Sequence, residues 1–215
     1  MINVDSQTML DISEIRERPT RGKGLLEGFL ANKRGQMANK LIKTQYRDGK
    51  ILDVGCGSYP LFLIKTNFKN KFGIDKQELS KYKDLFKQND IIFNVYNLEK
   101  DINIPYEDNY FEVITMLAVF EHIEPEKLNC VINEVYRILK PGGIFILTTP
   151  AGWTHNILKF MSWLKLISKA EFSEHKDVYD HTKISEILIK NRFLKSNIEK
   201  GFFECFMNLW ISAQK

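Results

Sequence analysis

Apolar positions along this chain follow two alternating spacings. Short apolar runs at Ile51–Val54, Lys71–Ile74, Ile91–Val95, Phe111–Leu117 and Ile144–Thr149 are bounded by Gly, Pro, Asn or Asp. Such runs predict buried strands. Between them the spacing becomes helical. Leu128, Val131, Ile132, Val135, Ile138 and Leu139 share one face and predict a helix over Pro125–Leu139. Pro125 suits its first turn, and Glu124 and Glu126 sit near the positive end of its dipole. Arg137 and Lys140 sit at the other end, and Pro141-Gly142-Gly143 is a stop signal. Upstream, Leu26, Phe29, Leu30, Met37, Leu41 and Ile42 predict a helix over Leu25–Tyr46, closed by Arg47-Asp48-Gly49. Another helix is expected at about Lys183–Asn191.

Apolar strands separated by helices predict an α/β fold, a mostly parallel sheet with helices on both faces. Ligands on such sheets bind at the carboxyl ends of strands, where the strand order reverses. The turn Gly55-Cys56-Gly57-Ser58, Asp75, Asn97 and the segment Leu117–His122 each follow a strand candidate, so all reach one edge. Asp75 closes its run 22 residues after Asp53. A glycine turn after a first strand, with an acid about 20 residues on, grips a nucleoside-bearing cofactor.

The cofactor follows from what the turn lacks. A pyrophosphate site normally reads G-x-G-x-x-G. Here Pro60 stands in place of the third glycine, and Asp53 puts a carboxylate where a pyrophosphate would be repelled. That acid favours a cationic partner such as an α-ammonium group. An amino-acid end and a nucleoside end together describe S-adenosylmethionine.

Four motifs in register then carry a resemblance. They are Ile51-Leu52-Asp53-Val54-Gly55-Cys56-Gly57, Gly73-Ile74-Asp75, Asn97-Leu98-Glu99 followed by Ile104–Ile114 with Ala118–Ile123 beyond, and Leu139-Lys140-Pro141-Gly142-Gly143. Over about residues 50–150 the chain resembles the class I S-adenosylmethionine-dependent methyltransferases. The resemblance implies a Rossmann-like sheet of seven strands with an antiparallel C-terminal strand. Phe193–Gln214 would supply two antiparallel strands, with Phe202, Phe203, Phe206 and Trp210 helping to close the sheet. It also implies site roles. Asp53, Gly55 and Gly57 would line the methionine end, with Cys56 among the cofactor-binding residues. Asp75 would accept from the ribose hydroxyls. Asn97 and Leu98 would flank the adenine, and Leu117 and Ala118 would border the methionine moiety. Many relatives carry Asp at the position of Asn97, and an amide oxygen can still accept. Leu98 and Leu117 also have a plain reading as core residues. Cys56 reads as a small buried thiol in a tight turn, not a reactive one, since no partner for a thiolate is evident.

Composition narrows the rest. The chain has 215 residues, enough for one domain with appendages. The division expected is a basic arm and helix over 1–48, then a methyltransferase domain over 49–215 with a lid insertion at about 151–182. No uncharged apolar stretch reaches the roughly 18 residues of a spanning helix, and the polar start does not read as a signal peptide, so a cytoplasmic protein is expected. Three scattered cysteines offer no metal motif. Residues 1–50 hold ten Lys/Arg against six Asp/Glu, while the remainder is balanced. Charge runs of this kind are usually solvated faces, though a basic arm also suits phosphate or an anionic membrane surface. The neutral main domain argues against nucleic acid as a partner.

The acceptor is the open half. Methyl transfer to a hydroxyl benefits from a base, and His serves near pH 7. His122 lies just past the fourth strand and is read as shaping the turn or facing the acceptor. His175 and His181 lie in a polar connection and are read as acceptor-side bases or as solvated loop. Trp153 to Ile167 is largely apolar with a narrow lysine stripe. It has four uses open to it: internal packing, an acceptor cover, a homodimer contact or a peripheral membrane contact. Gly24–Ala31 and Gly57–Pro60 resemble small methyltransferases of surface-glycan synthesis, which favours transfer to oxygen of a small-molecule or glycan acceptor, lipid-linked forms included. A quinone-type acceptor, an RNA and a non-catalytic cofactor-binding role are the alternatives.

Overall fold

The computed structural model describes residues 26–77, 83–101, 103–154 and 179–215. Its elements are α1 (Glu27–Leu41), β1 (Lys50–Val54), α2 (Leu61–Lys65), β2 (Asn70–Asp75), α3 (Lys83–Gln88), β3 (Ile91–Val95), β4 (Phe111–Leu117), α4 (Pro125–Ile138), β5 (Leu139–Pro150), α5 (His181–Lys190), β6 (Ile198–Phe203) and β7 (Asn208–Gln214). The strands form one sheet in the order β3-β2-β1-β4-β5-β7-β6. β1 pairs in parallel with β2 and with β4, while β7 runs antiparallel to both neighbours. The expected seven-stranded architecture is therefore present. The order reverses between β1 and β4, which puts the crevice for a ligand above their carboxyl ends.

The alternation of side chains along each strand divides the core in two. Leu52, Ile74, Ile114, Met116 and Phe145 face α4 and α5, where Leu128, Ile132, Val135, Ile184 and Leu188 meet them. Ile51, Val113, Ile144 and Ile146 face the other way, onto Ala38 of α1, Phe62 of α2 and Phe86 of α3. α1 is tied down at its far end. The Arg47 guanidinium donates to Asn39 Oδ1 at 2.9 Å and to Thr66 Oγ1 at 3.0 Å, and Tyr46 Oη donates to the Gly142 carbonyl at 2.9 Å.

Three expectations shift. The first helix stops at Leu41, and Thr44–Tyr46 form a separate 3₁₀ turn because Ile42 is extended. α4 ends at Ile138, one residue before the expected end, and Pro141-Gly142-Gly143 already lie within β5, which starts at Leu139. Phe111 pairs with Leu139 but Val113 with Ile144, so β5 carries extra residues as a bulge, with Gly142 at φ 77°. Phe202 and Phe206 do not close the sheet: they are 44% and 66% exposed. The apolar face of β7 (Leu209, Ile211 and Ala213) is buried instead.

Among the described residues, no helix is long and apolar enough to cross a membrane. None of their His, Cys, Asp and Glu side chains form a group of three or more able to hold a metal ion.

Candidate active site

The glycine turn is built by its neighbours. Gly55 and Gly57 have φ of 75° and 72°, the left-handed region that glycine enters without a Cβ penalty. A Cβ at Gly55 would lie 2.5 Å from Val119 Cγ2. Glycine is thus required there twice, by backbone and by space. The turn is latched to β2: the Gly55 amide donates to the Ile74 carbonyl at 2.8 Å, and the Gly57 amide donates to Asp75 Oδ2 at 2.9 Å. Asp75 Oδ1 accepts from the Gln77 amide at 3.0 Å. Asp75 is 2% exposed, and each of its oxygens accepts from a backbone donor. Asp53, at the end of β1, is equally buried, and Thr115 Oγ1 donates to its Oδ1 at 2.7 Å. Cys56 is buried, as expected of a packing thiol.

A cavity of about 230 Å³ opens beside this turn, and Gly55, Asp75, Asn97, Leu98, Val119 and His122 line it. The loop after β3 forms one wall. Asn97 organises it: its amide donates to Asp101 Oδ2 at 2.7 Å, and its Oδ1 accepts from the Glu99 amide at 3.0 Å. Tyr96 is pushed up to about 12 by burial and then by Asp101, so it stays a neutral donor to the Asp101 carbonyl at 3.2 Å.

The end of β4 forms the opposite wall. Ala118 is left-handed at φ 54°, and its amide donates to the Thr148 carbonyl at 2.9 Å. This reversal turns Val119 onto Gly55. A 3₁₀ turn, Phe120–His122, follows, with Glu121 buried. His122 therefore stands in the same cavity as Asp75 and Asn97. His181 is elsewhere. It is the first residue of α5, not part of a loop, because Asp180 caps the helix by accepting from the Lys183 amide at 2.8 Å. Its Nε2 lies 2.9 Å from the Gly201 carbonyl on β6, the far strand of the sheet. His175 and most of the apolar segment after Trp153 lie outside the described residues.

A second cluster occupies the same carboxyl edge. The β6–β7 turn holds Glu204, Cys205 and Phe206 all at positive φ. Phe206 meets Phe202 at 5.7 Å, Phe202 meets the His181 ring at 4.6 Å, and Trp153 Nε1 donates to the Phe206 carbonyl at 3.2 Å. Trp153 and Phe206 are more than half exposed. Burial pushes the Glu204 carboxyl up, against the opposing charges of Arg34 and Lys33 from α1.

Sequence reasoning missed Thr115 and Val119. Thr115 had a visible signal, a polar residue inside the apolar run of β4. Its partner Asp53 is 62 positions away and becomes evident only through the β1–β4 pairing.

Residues 52–147 match a family described as a methyltransferase domain. The tRNA N(3)-cytidine methyltransferase METTL2 of Gallus gallus is 28% identical over 131 residues, covering 52% of this chain and 35% of that protein. The demethylmenaquinone methyltransferase of Symbiobacterium thermophilum is 30% identical over 122 residues, covering 49% of this chain and 45% of that one. The chain thus spans less than half the length of these curated relatives. Among solved structures, the PH0226 protein of Pyrococcus horikoshii superimposes with a TM-score of 0.64 at 23% identity, covering 94% of this chain and 98% of its own. A SAM-dependent methyltransferase from Archaeoglobus fulgidus does so with a TM-score of 0.63 at 15% identity, covering 86% and 94%. At such identities these two show a shared fold. The relatives' names include tRNA, so they lend no support to the expectation against nucleic acid. The matched residues 52–147 cover the strands that build the glycine turn and its cavity, so this part of the chain is identified as a methyltransferase domain.

Proposed function

We propose that this chain transfers a methyl group from S-adenosylmethionine to a hydroxyl of a small ring-bearing acceptor, a sugar or glycan intermediate. In this reading residues 1–48 are an arm and supporting helix, and 49–215 are the catalytic domain with a lid at about 151–182. The donor half rests on the cradle at Gly55, which a Cβ would fill, and on two buried carboxylates at the ends of adjacent strands. Asp53, held by Thr115, faces the α-ammonium end. Asp75 accepts from the ribose hydroxyls. Leu98 borders the adenine, and Leu117 and Ala118 border the methionine chain.

S-adenosylmethionine supplies an activated methyl on a sulfonium, which leaves as a neutral thioether when an acceptor oxygen attacks. The protein's task is alignment and removal of the acceptor proton. The observation that carries the acceptor reading is the exposed aromatic cluster of Trp153, Phe202 and Phe206 on the cofactor's side of the sheet. Exposed aromatic faces suit a flat apolar ring face. His181 completes it: with Nε2–H donated to Gly201, its Nδ1 is the basic nitrogen.

A second reading, an RNA acceptor, is favoured by the tRNA methyltransferases among the relatives and by Lys33 and Arg34 beside the cluster. A labelled-methyl assay against fractionated glycans, quinone precursors and tRNA separates the readings. Counts in the glycan fraction, lost in Phe202→Ala, support the first. Counts in tRNA alone, with binding that falls steeply with salt, would replace it.

A further inference from the structure

Every exposed Phe, Trp or Tyr among the described residues stands on one rim of the molecule. Phe29, Trp153 and Phe206 are more than half exposed, and Phe202 nearly half. The other large apolar side chains in solvent, Ile92, Val95, Ile189 and Leu194, are all aliphatic. Trp153 follows β5, Phe202 lies near the end of β6, and Phe206 lies in the β6–β7 turn, all at the carboxyl edge of the sheet. α1 reaches the same rim. Lys33 and Arg34, one turn after Phe29, act on the Glu204 carboxyl in that turn. The Lys33 ammonium also lies over the Phe29 ring, 5.5 Å from its centre.

The exposure of Phe206 is built into the backbone. Glu204, Cys205 and Phe206 take φ of 51°, 54° and 66° in succession. L-residues enter this left-handed region singly and at a cost. The turn is locked there by the Met207 amide on the Glu204 carbonyl at 3.0 Å, by the Ala151 amide on the Met207 carbonyl at 2.8 Å and by Asn208 on the Glu204 carboxylate. The fold thus sustains a strained turn that keeps a phenylalanine in water. Charge gives the direction. Two cations, Lys33 and Arg34, face one acid, Glu204, at the rim. The sequence leading to α1, Arg16–Lys23, has four basic residues to one acidic. Aromatic rings bordered by cations suit the surface of an anionic bilayer, where rings sit among the headgroups and cations meet phosphates. An RNA would want a positive groove along the domain, and residues 51–215 are balanced in charge.

We propose that this rim docks the protein on an anionic phospholipid bilayer, with Phe29, Trp153 and Phe206 at headgroup level and Lys33 and Arg34 against lipid phosphates. The docking goes beyond the methyl-transfer reading and does not depend on it. It sets the assigned acceptor side, Phe202 and His181, against the bilayer surface.

The test is sedimentation of the full chain with vesicles, without cofactor or acceptor. The vesicles are phosphatidylcholine alone, or phosphatidylcholine mixed with phosphatidylglycerol. The wild-type protein is expected to bind the mixed vesicles, and the neutral ones roughly tenfold more weakly. Phe29→Ala and Phe206→Ala, on separate elements, should each weaken binding to the mixed vesicles roughly tenfold. Phe206→Asn, which tolerates the left-handed backbone, stands in should the alanine variant fail to fold. Lys33→Gln combined with Arg34→Gln should remove the preference for anionic vesicles. Phosphatidylcholine brominated on its acyl chains should quench tryptophan emission in the wild type. Trp153→Phe should lose that quenching and still sediment. A wild-type protein that stays in the supernatant overturns the proposal. Undiminished binding in either folded Phe variant, or quenching retained in Trp153→Phe, also overturns it. Binding to tRNA but not to vesicles overturns it as well and gives the rim to RNA. No outcome here depends on turnover, so a failure of docking is distinct from a failure of the methyl-transfer reading.

Discussion

Thr115 Oγ1 donates to Asp53 Oδ1 across the β1–β4 pair at 2.7 Å, with both residues buried. The two are register partners at the point where the strand order reverses. Thr115 holds in one rotamer the carboxylate assigned to the α-ammonium group. Thr115→Val keeps the shape and removes the donor. Loss of a hydrogen bond to a charged group costs about 1.5–3 kcal/mol. Affinity for S-adenosylhomocysteine is expected to fall roughly tenfold, with the melting temperature lowered by a few degrees. Unchanged affinity in calorimetry would show that Asp53 needs no orienting partner.

Gly55 is the tightest point of the turn. Substitution by Ala forces a left-handed L-residue, which costs roughly 1–2 kcal/mol, and drives its Cβ into Val119 Cγ2 at 2.5 Å. Gly55→Ala should lower stability by about 2–4 kcal/mol in total and abolish measurable cofactor binding. Adding Val119→Ala relieves the clash but not the backbone strain. A double-mutant cycle by chemical denaturation is expected to show a favourable coupling. Strict additivity would mean that the two side chains do not meet.

The legible parts of this molecule were those determined by local pattern. The strands at Ile91–Val95 and Phe111–Leu117 and the helix from Pro125 fall where periodicity puts them. The bulge of β5 does not, because it depends on which β4 residues its partners are, Phe111 and then Val113. The glycine turn and Asp75 were legible as a motif. That Asp75 also latches the turn through Gly57 was not, since it is a contact across 18 residues. Phe202 and Phe206 misled because hydrophobicity predicts burial, yet Phe202 lies on the edge strand β6 opposite Leu209 and Phe206 in the turn after it, and both are exposed. His181 read as loop because the helix signal at Asp180 is a single cap residue.

Asp75 carries three loads, the Gly57 amide, the Gln77 amide and the assigned ribose hydroxyls. Asp75→Asn retains one acceptor oxygen and loses the charge. Its affinity for S-adenosylhomocysteine is expected to fall by more than tenfold while the fold survives. Asp75→Ala leaves the buried Gly57 amide without an acceptor, which costs about 1–3 kcal/mol. Thermal melts should therefore separate the two variants by several degrees. Equal melting temperatures would show that the latch is dispensable.

The loop between β3 and β4, which completes the cavity's outer wall, hangs on one ion network. Arg137 bonds Glu134 and Asp108 and donates to the carbonyls of Ile104 and Tyr106, both at 2.9 Å. The Arg137 guanidinium, then the Ile104 amide, hold the Glu134 carboxyl below its ordinary range. A carboxyl depressed in the folded state stabilises the protein above its unfolded value, about 4.3 for Glu. That contribution disappears as the pH falls through the lower folded value. Glu134→Gln should melt several degrees below the wild type at pH 7, and the gap should close as the pH drops below about 4. Both proteins are measured by thermal denaturation from pH 7 down to pH 3. A gap that stays constant across this range would assign the loss to packing of the Glu134 side chain and not to its charge.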